Sequence, residues 1–329
     1  SQLQRREAVG FVGGIRYGFL GADSDGLRTL GDCLDELSAQ EINRCLSIFF
    51  QETWVAKYRR QTLSPKSLFV AYADVWSAKW IERILAFPIQ QPKILFQVAN
   101  GVAVDLPNPL VWLLSRVDLE HEYADDVTAS IVHYTAVTHG DLHCHNIFVD
   151  KHGEPWIIDY ERTGDGPVLR DFVELEVDMI AQHLSSHAVD SLDLFRFFIS
   201  LLTSDSVNPR TRLDICADEL TKLGDILYNL RSLAHSVALA KDARELYWGL
   251  LLDISLTLTH VIGKTRSPAD NPFLRYTAVD AYTAAVDELK ERNSSLWGLL
   301  LLGAMIAYRL DYWDKPWPPK AWIADPKKQ

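Results

Sequence analysis

The stretch from Val137 to Glu161 constrains this chain more than any other. It reads Val137-Thr-His-Gly-Asp-Leu-His-Cys-His-Asn-Ile-Phe-Val-Asp150, then Lys-His-Gly-Glu-Pro155, then Trp-Ile-Ile-Asp-Tyr-Glu161. Two short apolar runs, Ile147 to Val149 and Trp156 to Ile158, flank a turn containing Gly153 and Pro155, which is a hairpin pattern. A turn centred between His152 and Gly153 predicts Phe148 opposite Ile157, Ile147 opposite Ile158 and Asn146 opposite Asp159. Residues opposed in an antiparallel pair sit roughly 4.5–5.5 Å apart. An amide oxygen and a carboxylate therefore meet at one end of a small ribbon, a pair of oxygen ligands suited to Mg²⁺. Asp141 precedes Asn146 across a tight loop and can reach the same spot.

Around this segment the periodicity is mostly helical. Leu30, Leu34, Leu37, Ile42, Leu46, Phe49, Phe50 and Trp54 recur every three or four residues, with Ser38 placed as the N-cap of a second helix. A helix is expected over 67–87, ended by Pro88. The part from Ile89 to Asp126 reads as an insertion, irregular or with a little β structure, its apolar runs Ile94–Val98 and Val111–Leu114 broken by Asn100-Gly101 and Leu106-Pro-Asn-Pro109. Beyond Arg170, helices are expected over 171–185, 191–203, 216–239, 243–262, 276–291 and 295–310. Trp248-Gly-Leu-Leu-Leu252 and Trp297-Gly-Leu-Leu-Leu301 read as two buried helices built from the same core residues. The Trp- and Pro-rich end, 313–326, reads as an extended strap.

Composition excludes several classes. The 33 basic and 44 acidic residues leave a net charge of −11, against a nonspecific nucleic-acid binder. The longest apolar run, Leu296 to Tyr308, is shorter than the roughly 20 residues a membrane span requires. Four scattered cysteines without a CxxC pair, and no N-terminal signal sequence, point to a reducing cytoplasm. The acidic stretch Asp118 to Asp126 reads as a solvated loop, or as an attractor for an amine-bearing ligand.

A base and two oxygen ligands match what phosphoryl transfer requires: metal clamping of a charged transition state and orientation of the attacking hydroxyl. His139-Gly-Asp141, Asn146 five residues on, a hairpin, and Ile158-Asp159 resemble the catalytic loop and metal-binding segment of aminoglycoside phosphotransferases and choline-kinase-like enzymes, relatives of protein kinases. The resemblance implies Asp141 as catalytic base, Asn146 and Asp159 as Mg²⁺ ligands, and ATP as phosphoryl donor. The acceptor would be a hydroxyl on a small molecule, cationic or neutral. His139 and His143 would support the loop. Asp171, which opens the next helix in the segment Gly164 to Glu176, would serve as N-cap or anchor. Asp159-Tyr-Glu-Arg-Thr-Gly164 further resembles predicted phosphotransferase domains attached to bacterial signalling and defence proteins. Glu161 stands where protein kinases place glycine. Glu161, Arg162 and Arg170 read equally well as site or as surface residues.

The fold expected is α+β and mostly helical: the large, C-terminal lobe of the protein-kinase-like fold with a catalytic hairpin. Residues 1–26 would be the last small-lobe strands and the hinge, with Phe19 and Leu20 against the nucleotide, and 27–329 the helical lobe. Gly10-Phe-Val-Gly-Gly-Ile-Arg-Tyr-Gly18 does not spell a phosphate-binding Gly-x-Gly-x-x-Gly. Val55-Ala-Lys57 imitates a nucleotide-binding lysine strand but lies in a helical pattern. The nucleotide-covering lobe is therefore expected upstream of Ser1, or absent, and the alternative reading is a non-catalytic nucleotide-sensing or scaffold module within a larger protein. A zinc cluster of His139, His143, Cys144 and His145 is disfavoured, because adjacent residues seldom ligate together. A hydrolase dyad lacks any nucleophile motif.

Overall fold

The computed structural model describes residues 3–9, 12–17, 27–76, 91–99, 102–116, 130–208, 217–264 and 282–323. The expectations for Phe19 and Leu20, the acidic stretch 118–126, Cys216, and the ends of the helices proposed over 67–87 and 276–291 lie outside these residues. The described chain is α+β and mostly helical, compatible with a kinase-like lobe. Strands β1 (Leu3–Val9) and β2 (Val12–Tyr17) pair as an antiparallel hairpin. The segment from Arg28 opens with a short strand, β3 (Arg28–Thr29), before a helical turn (Leu30–Cys33), where periodicity alone predicted helix from Leu27.

Ser38 does cap the helix Ala39–Ser47, and Glu41 returns the bond to the Ser38 backbone, a full capping box. Val55 to Lys57 is helical, as the surrounding pattern required. After a two-residue strand β4 (Thr62–Leu63) comes the helix Leu68–Trp76. In the insertion, β5 (Lys93–Ala99) and β6 (Val102–Pro107) form a hairpin whose register runs from Lys93↔Pro107 to Ala99↔Val102. Alternate residues of β5 are buried, Ile94, Phe96 and Val98 facing the core. Val111 to Leu114 is not strand, however: it belongs to the helix Pro109–Arg116, because Asn108 accepts from Leu110 N through its side chain and starts a helix that Pro109 can open.

Two small sheets hold the central segment. β7 (Tyr134–Thr138) lies between β4 and β10 (Gly164–Pro167), and β8 (Ile147–Val149) lies between β3 and β9 (Pro155–Ile157). All these pairs are antiparallel. Helices Arg170–Ser186, Ser191–Leu201, Asp218–Val237, Ala243–Lys264, Tyr282–Arg292 and Ser294–Asp311 follow, close to the predicted positions. The last of the long helices is buried on nearly every side, from Leu296 through Ala307. It packs on Ala243–Lys264 and on Arg170–Ser186, so the two Trp-Gly-Leu-Leu-Leu pieces are neighbouring core helices with Trp248 and Trp297 both buried. No helix among the described residues is long and apolar enough to cross a membrane. Cys33, Cys45 and Cys144 are buried and unpaired, and burial pushes the Cys45 thiol up to about 12.

The C-terminal strap is not extended. It turns into a short helix, Lys320–Ile323, with Trp322 packed on Phe195, Tyr308 and Trp317. Arg309 lies beneath, its guanidinium 4.3 Å from the Trp313 ring and paired with Asp205.

One buried ion pair ties the site helix to the rest of the bundle. Arg231 donates to both carboxylate oxygens of Glu176, at 3.0 and 2.6 Å, and to the Leu201 carbonyl at 2.6 Å. Both side chains are at most 3% exposed. Removing one partner strands the other charge in the core. Glu176→Ala or Arg231→Met is therefore expected to cost about 3–5 kcal/mol, and the double replacement Glu176→Leu with Arg231→Met much less. Urea unfolding of the three variants checks this; equal losses in single and double variants would refute it.

Candidate active site

The helix Arg170–Ser186 presents Asp171, Glu174 and Asp178 along one face, spaced three and four residues apart. Each carboxylate accepts a backbone N–H from the loop that follows β7. Asp171 Oδ2 accepts from His139 N and Oδ1 from Gly140 N, both at 2.9 Å. Glu174 Oε2 accepts from Leu142 N at 3.0 Å, and Asp178 Oδ2 from Cys144 N at 2.7 Å. Tyr58 adds its hydroxyl to Asp171 Oδ2 at 2.6 Å. Asp171 is thus an anchor in the first turn of the helix; the N-cap position belongs to Leu169, whose side chain caps nothing. From the other side, Arg170 donates to the Gly140 carbonyl and, through Nε, to Glu174 Oε1 at 2.8 Å. Arg170 is accordingly a buried part of the site.

Gly140 is the one position in this loop where backbone freedom is obligatory. Its φ is +83°, and an added Cβ would collide with the Arg162 carbonyl oxygen and lie 2.8 Å from Arg170 Nη1. The loop after Asp159 packs directly on this glycine. His139 ties the same two segments together: its Nε2 donates to the Ile158 carbonyl at 2.8 Å, which places the ring proton on Nε2, while Nδ1 is buried without a partner. His143 is half-buried with its ring 6.2 Å from that of His145, and His145 Nδ1 meets Thr29 Oγ1 at 3.2 Å.

Asn146 is buried. Its Nδ2 donates to the Asp141 carbonyl at 2.8 Å, which orients the amide, and Oδ1 has no hydrogen-bond partner among the described residues. The hairpin brings it next to the following segment one register away from the expected pairing. Ile147 pairs with Ile157, Phe148 with Trp156 and Val149 with Pro155, so Asn146 faces Ile158, whose N–H donates to the Asn146 carbonyl at 3.1 Å. The correction comes from the turn. Asp150 and Glu154 close a three-residue loop, with Gly153 at φ +78° as its left-handed member. Counting a two-residue turn misplaced the centre by half a residue and the register by one.

Asp159 follows Ile158 in a left-handed conformation, φ 61° and ψ 62°, the one non-glycine with positive φ among the described residues. Such a conformation stores strain, and positions of this kind cluster at functional sites. Its carboxylate is exposed, with no hydrogen bond or ion pair to the described residues. Tyr160, next along, stacks on Trp54 at 5.9 Å and lies 5.1 Å from His139, and Trp54 Nε1 donates to the Val137 carbonyl at 3.1 Å. The Asp141 side chain is 30% exposed and, among the described residues, has one side-chain partner, Arg162 Nη1 at 3.2 Å. Asp141, Asn146 and Asp159 are thus carried on one loop and hairpin, the Asp141 carboxylate touched by Arg162, Asn146 buried and Asp159 exposed.

Asp253, on the helix Ala243–Lys264, is a neighbour that periodicity did not single out. It is 8% exposed and accepts no hydrogen bond from the described residues. Burial holds its carboxyl well above the usual carboxylate range. The negative Glu174, Asp178 and Asp141 reinforce the shift and Arg170 opposes it. Burial likewise raises Glu174, which Arg170 partly offsets. Among the described residues no group of three or more His, Cys, Asp and Glu side chains could hold a metal ion. An Asn–Asp oxygen pair lies outside that donor set.

The fold is compatible with a kinase-like lobe, and one comparison with known proteins is a partial match to a kinase. Over 78 residues the chain is 42% identical to a 3-deoxy-D-manno-octulosonic acid kinase from Photobacterium damsela subsp. piscicida, a match covering 23% of this chain and 30% of that relative. The chain therefore spans under a third of the length of the curated relative it matches. The family model described as ternary complex associated domain 9 matches residues 97–254, from the insertion hairpin through the helix that carries Asp253. No solved structure matches.

Two outcomes follow from this geometry. Gly140→Ala forces a side chain into a left-handed backbone, at a cost of roughly 1–2 kcal/mol before the collision with Arg162 is counted. Unfolding midpoints should fall accordingly, and wild-type stability in this variant would refute the packing. For Asp253 the native carboxyl keeps its proton at pH values where the unfolded chain has released it. Stability is thus unaffected below the ordinary carboxylate range of about 4 and declines as pH rises above it. Asp253→Asn should be more stable than the wild type at pH 7, with the difference closing towards pH 4. Thermal melts across that range test it, and a gap independent of pH would refute it.

Proposed function

We propose that the chain is an ATP- and Mg²⁺-dependent phosphotransferase acting on a hydroxyl of a small molecule. The observation that carries this reading is the clamped loop. Three carboxylates and one arginine hold the backbone from His139 to Cys144, Asp141 and Asn146 stand on that loop and its exit, and Asp159 follows the hairpin with its side chain exposed. Those three are the donor set phosphoryl transfer uses. Asp141 acts as the base that orients the acceptor hydroxyl and takes its proton. Asn146, through Oδ1, and Asp159 hold the magnesium. Two protein oxygens suit an ion that keeps water and phosphate oxygens in its remaining positions. When bound, that ion neutralises charge on the transferred phosphoryl group.

On this reading residues 27–329 form the large lobe and residues 1–26 the last small-lobe strands and the hinge, which would carry Phe19 and Leu20. The partial likeness to a kinase supports the reaction class. A sugar-acid hydroxyl, as in the name of that relative, is one acceptor to test beside hydroxylated amines, and the net charge of −11 favours the latter.

The test is turnover of ATP by the full-length protein with Mg²⁺ and a panel of both acceptor types. Asp141→Ala is expected to lower kcat by about 10²–10⁴-fold, the usual contribution of a general base. Asn146→Ala and Asp159→Ala should raise the magnesium concentration needed for half-maximal rate. Turnover indifferent to Asp141→Ala would sink the proposal. Nucleotide binding without turnover of any acceptor would favour a nucleotide-sensing scaffold instead.

A further inference from the structure

We infer that Arg162 is the side chain that binds the phosphoryl group in transit, and that its contact with Asp141 is its resting position. This rests on the reading of Asp141 as base. Three observations lead to it.

The first is the contrast between the guanidinium and the turn that carries it. Arg162 touches Asp141 through one nitrogen, Nη1, at 3.2 Å, and its side chain is 60% exposed. A single-point pair facing water is easily exchanged for a better partner. The turn Tyr160–Arg162 is held firmly by comparison. Tyr160 stacks on Trp54, the Arg162 carbonyl packs on Gly140, and Thr163 Oγ1 donates to the His139 carbonyl at 3.2 Å. A free guanidinium therefore stands on a fixed base, three residues after Asp159 and beside Asp141.

The second concerns the neighbouring cation. Arg170 is spent inside the scaffold, on the Gly140 carbonyl and on Glu174. Among the described residues Arg162 has no second side-chain partner, so most of its donors are uncommitted there.

The third is chemical. While Arg162 donates to Asp141 Oδ1, one lone pair of that oxygen is taken and the guanidinium crowds the approach of a hydroxyl to it. Arginine prefers a phosphate, which it grips with two parallel N–H bonds, to a single carboxylate oxygen. Arrival of the phosphoryl donor thus draws Arg162 away and frees the base in one movement. The acceptor oxygen then bonds to the γ-phosphorus, and the bond from that phosphorus to the β,γ-bridging oxygen breaks, its electron pair leaving with ADP. The acceptor proton passes to Asp141, and Arg162 faces the negative charge on the phosphoryl oxygens.

The experiment measures binding as well as rate, in the full-length protein. Titration calorimetry compares MgADP alone with MgADP plus aluminium fluoride, a mimic of the phosphoryl group in flight. The wild type should bind the fluoride complex more tightly, and Arg162→Gln should lose at least about tenfold of that increment while binding MgADP as before. Turnover should fall by roughly a hundredfold or more in kcat with KM for ATP little changed, in the direction known for removal of an arginine that meets the transition state. Arg162→Lys should recover part, and added guanidinium should rescue Arg162→Ala but not Asp141→Ala. If Arg162→Gln keeps the whole fluoride increment while Asp141→Ala is inactive, Arg162 has no such role and the base reading stands. If the wild type shows no increment, or Asp141→Ala turns over normally, the phosphotransferase reading fails and this inference with it.

Discussion

The architecture of the site depends on a row of carboxylates gripping a loop by its backbone. Asp171, Glu174 and Asp178 accept from His139, Gly140, Leu142 and Cys144. Bonds from neutral amides to ionised acceptors are stronger than ordinary ones, and buried donors left unmade are costly. Because the helix is rigid and the loop is pinned at four amides, the side chains of that loop are fixed without being used. Among the described residues the Asp141 carboxylate meets only Arg162, and Asn146 spends its Nδ2 on the Asp141 carbonyl.

Such a row carries its own electrostatic difficulty. Asp171 is fully buried, Glu174 nearly so, and Asp253 approaches from another helix, with Arg170 the one cation seen inside the scaffold among the described residues. Carboxylates crowded in a low dielectric cannot all ionise, so protons stay on some of them. Glu174 and Asp253 are pushed upward by burial, and Asp171 accepts hydrogen bonds from three donors. The scaffold is thus held by hydrogen bonds whose strength depends on which members carry charge. The bidentate Glu176–Arg231 pair then fixes the same helix in the bundle.

Much of this was legible in the residues. Helical periodicity located the long helices after Arg170, Ser38 announced its cap, and the two apolar runs around Gly153 announced a hairpin. What misled was local chemistry with two outcomes. Gly153 at positive φ made a three-residue loop, and because side chains alternate along a strand, a shift of one residue put Ile158 where Asp159 was expected. Val111 to Leu114 looked like a strand because four apolar residues have no period, and Asn108-Pro109 decided for helix. Arg162 and Arg170 could not be told apart in sequence, although one is buried and the other is mostly exposed.

The sequence by itself located the long helices after Arg170 and the hairpin after Asn146, and marked Asp141, Asn146 and Asp159 within one short segment. Those follow from short-range periodicity, turn chemistry and spacing, which a linear pattern records. Only the tertiary structure decided that a helix beginning about thirty residues after the loop would hold its amides, that Gly140 would sit against Arg162, and that Asp253 would close on the same cluster. Contacts between elements far apart in sequence leave no period in it. They are set by which faces pack and by the need to give every buried amide and carboxylate a partner.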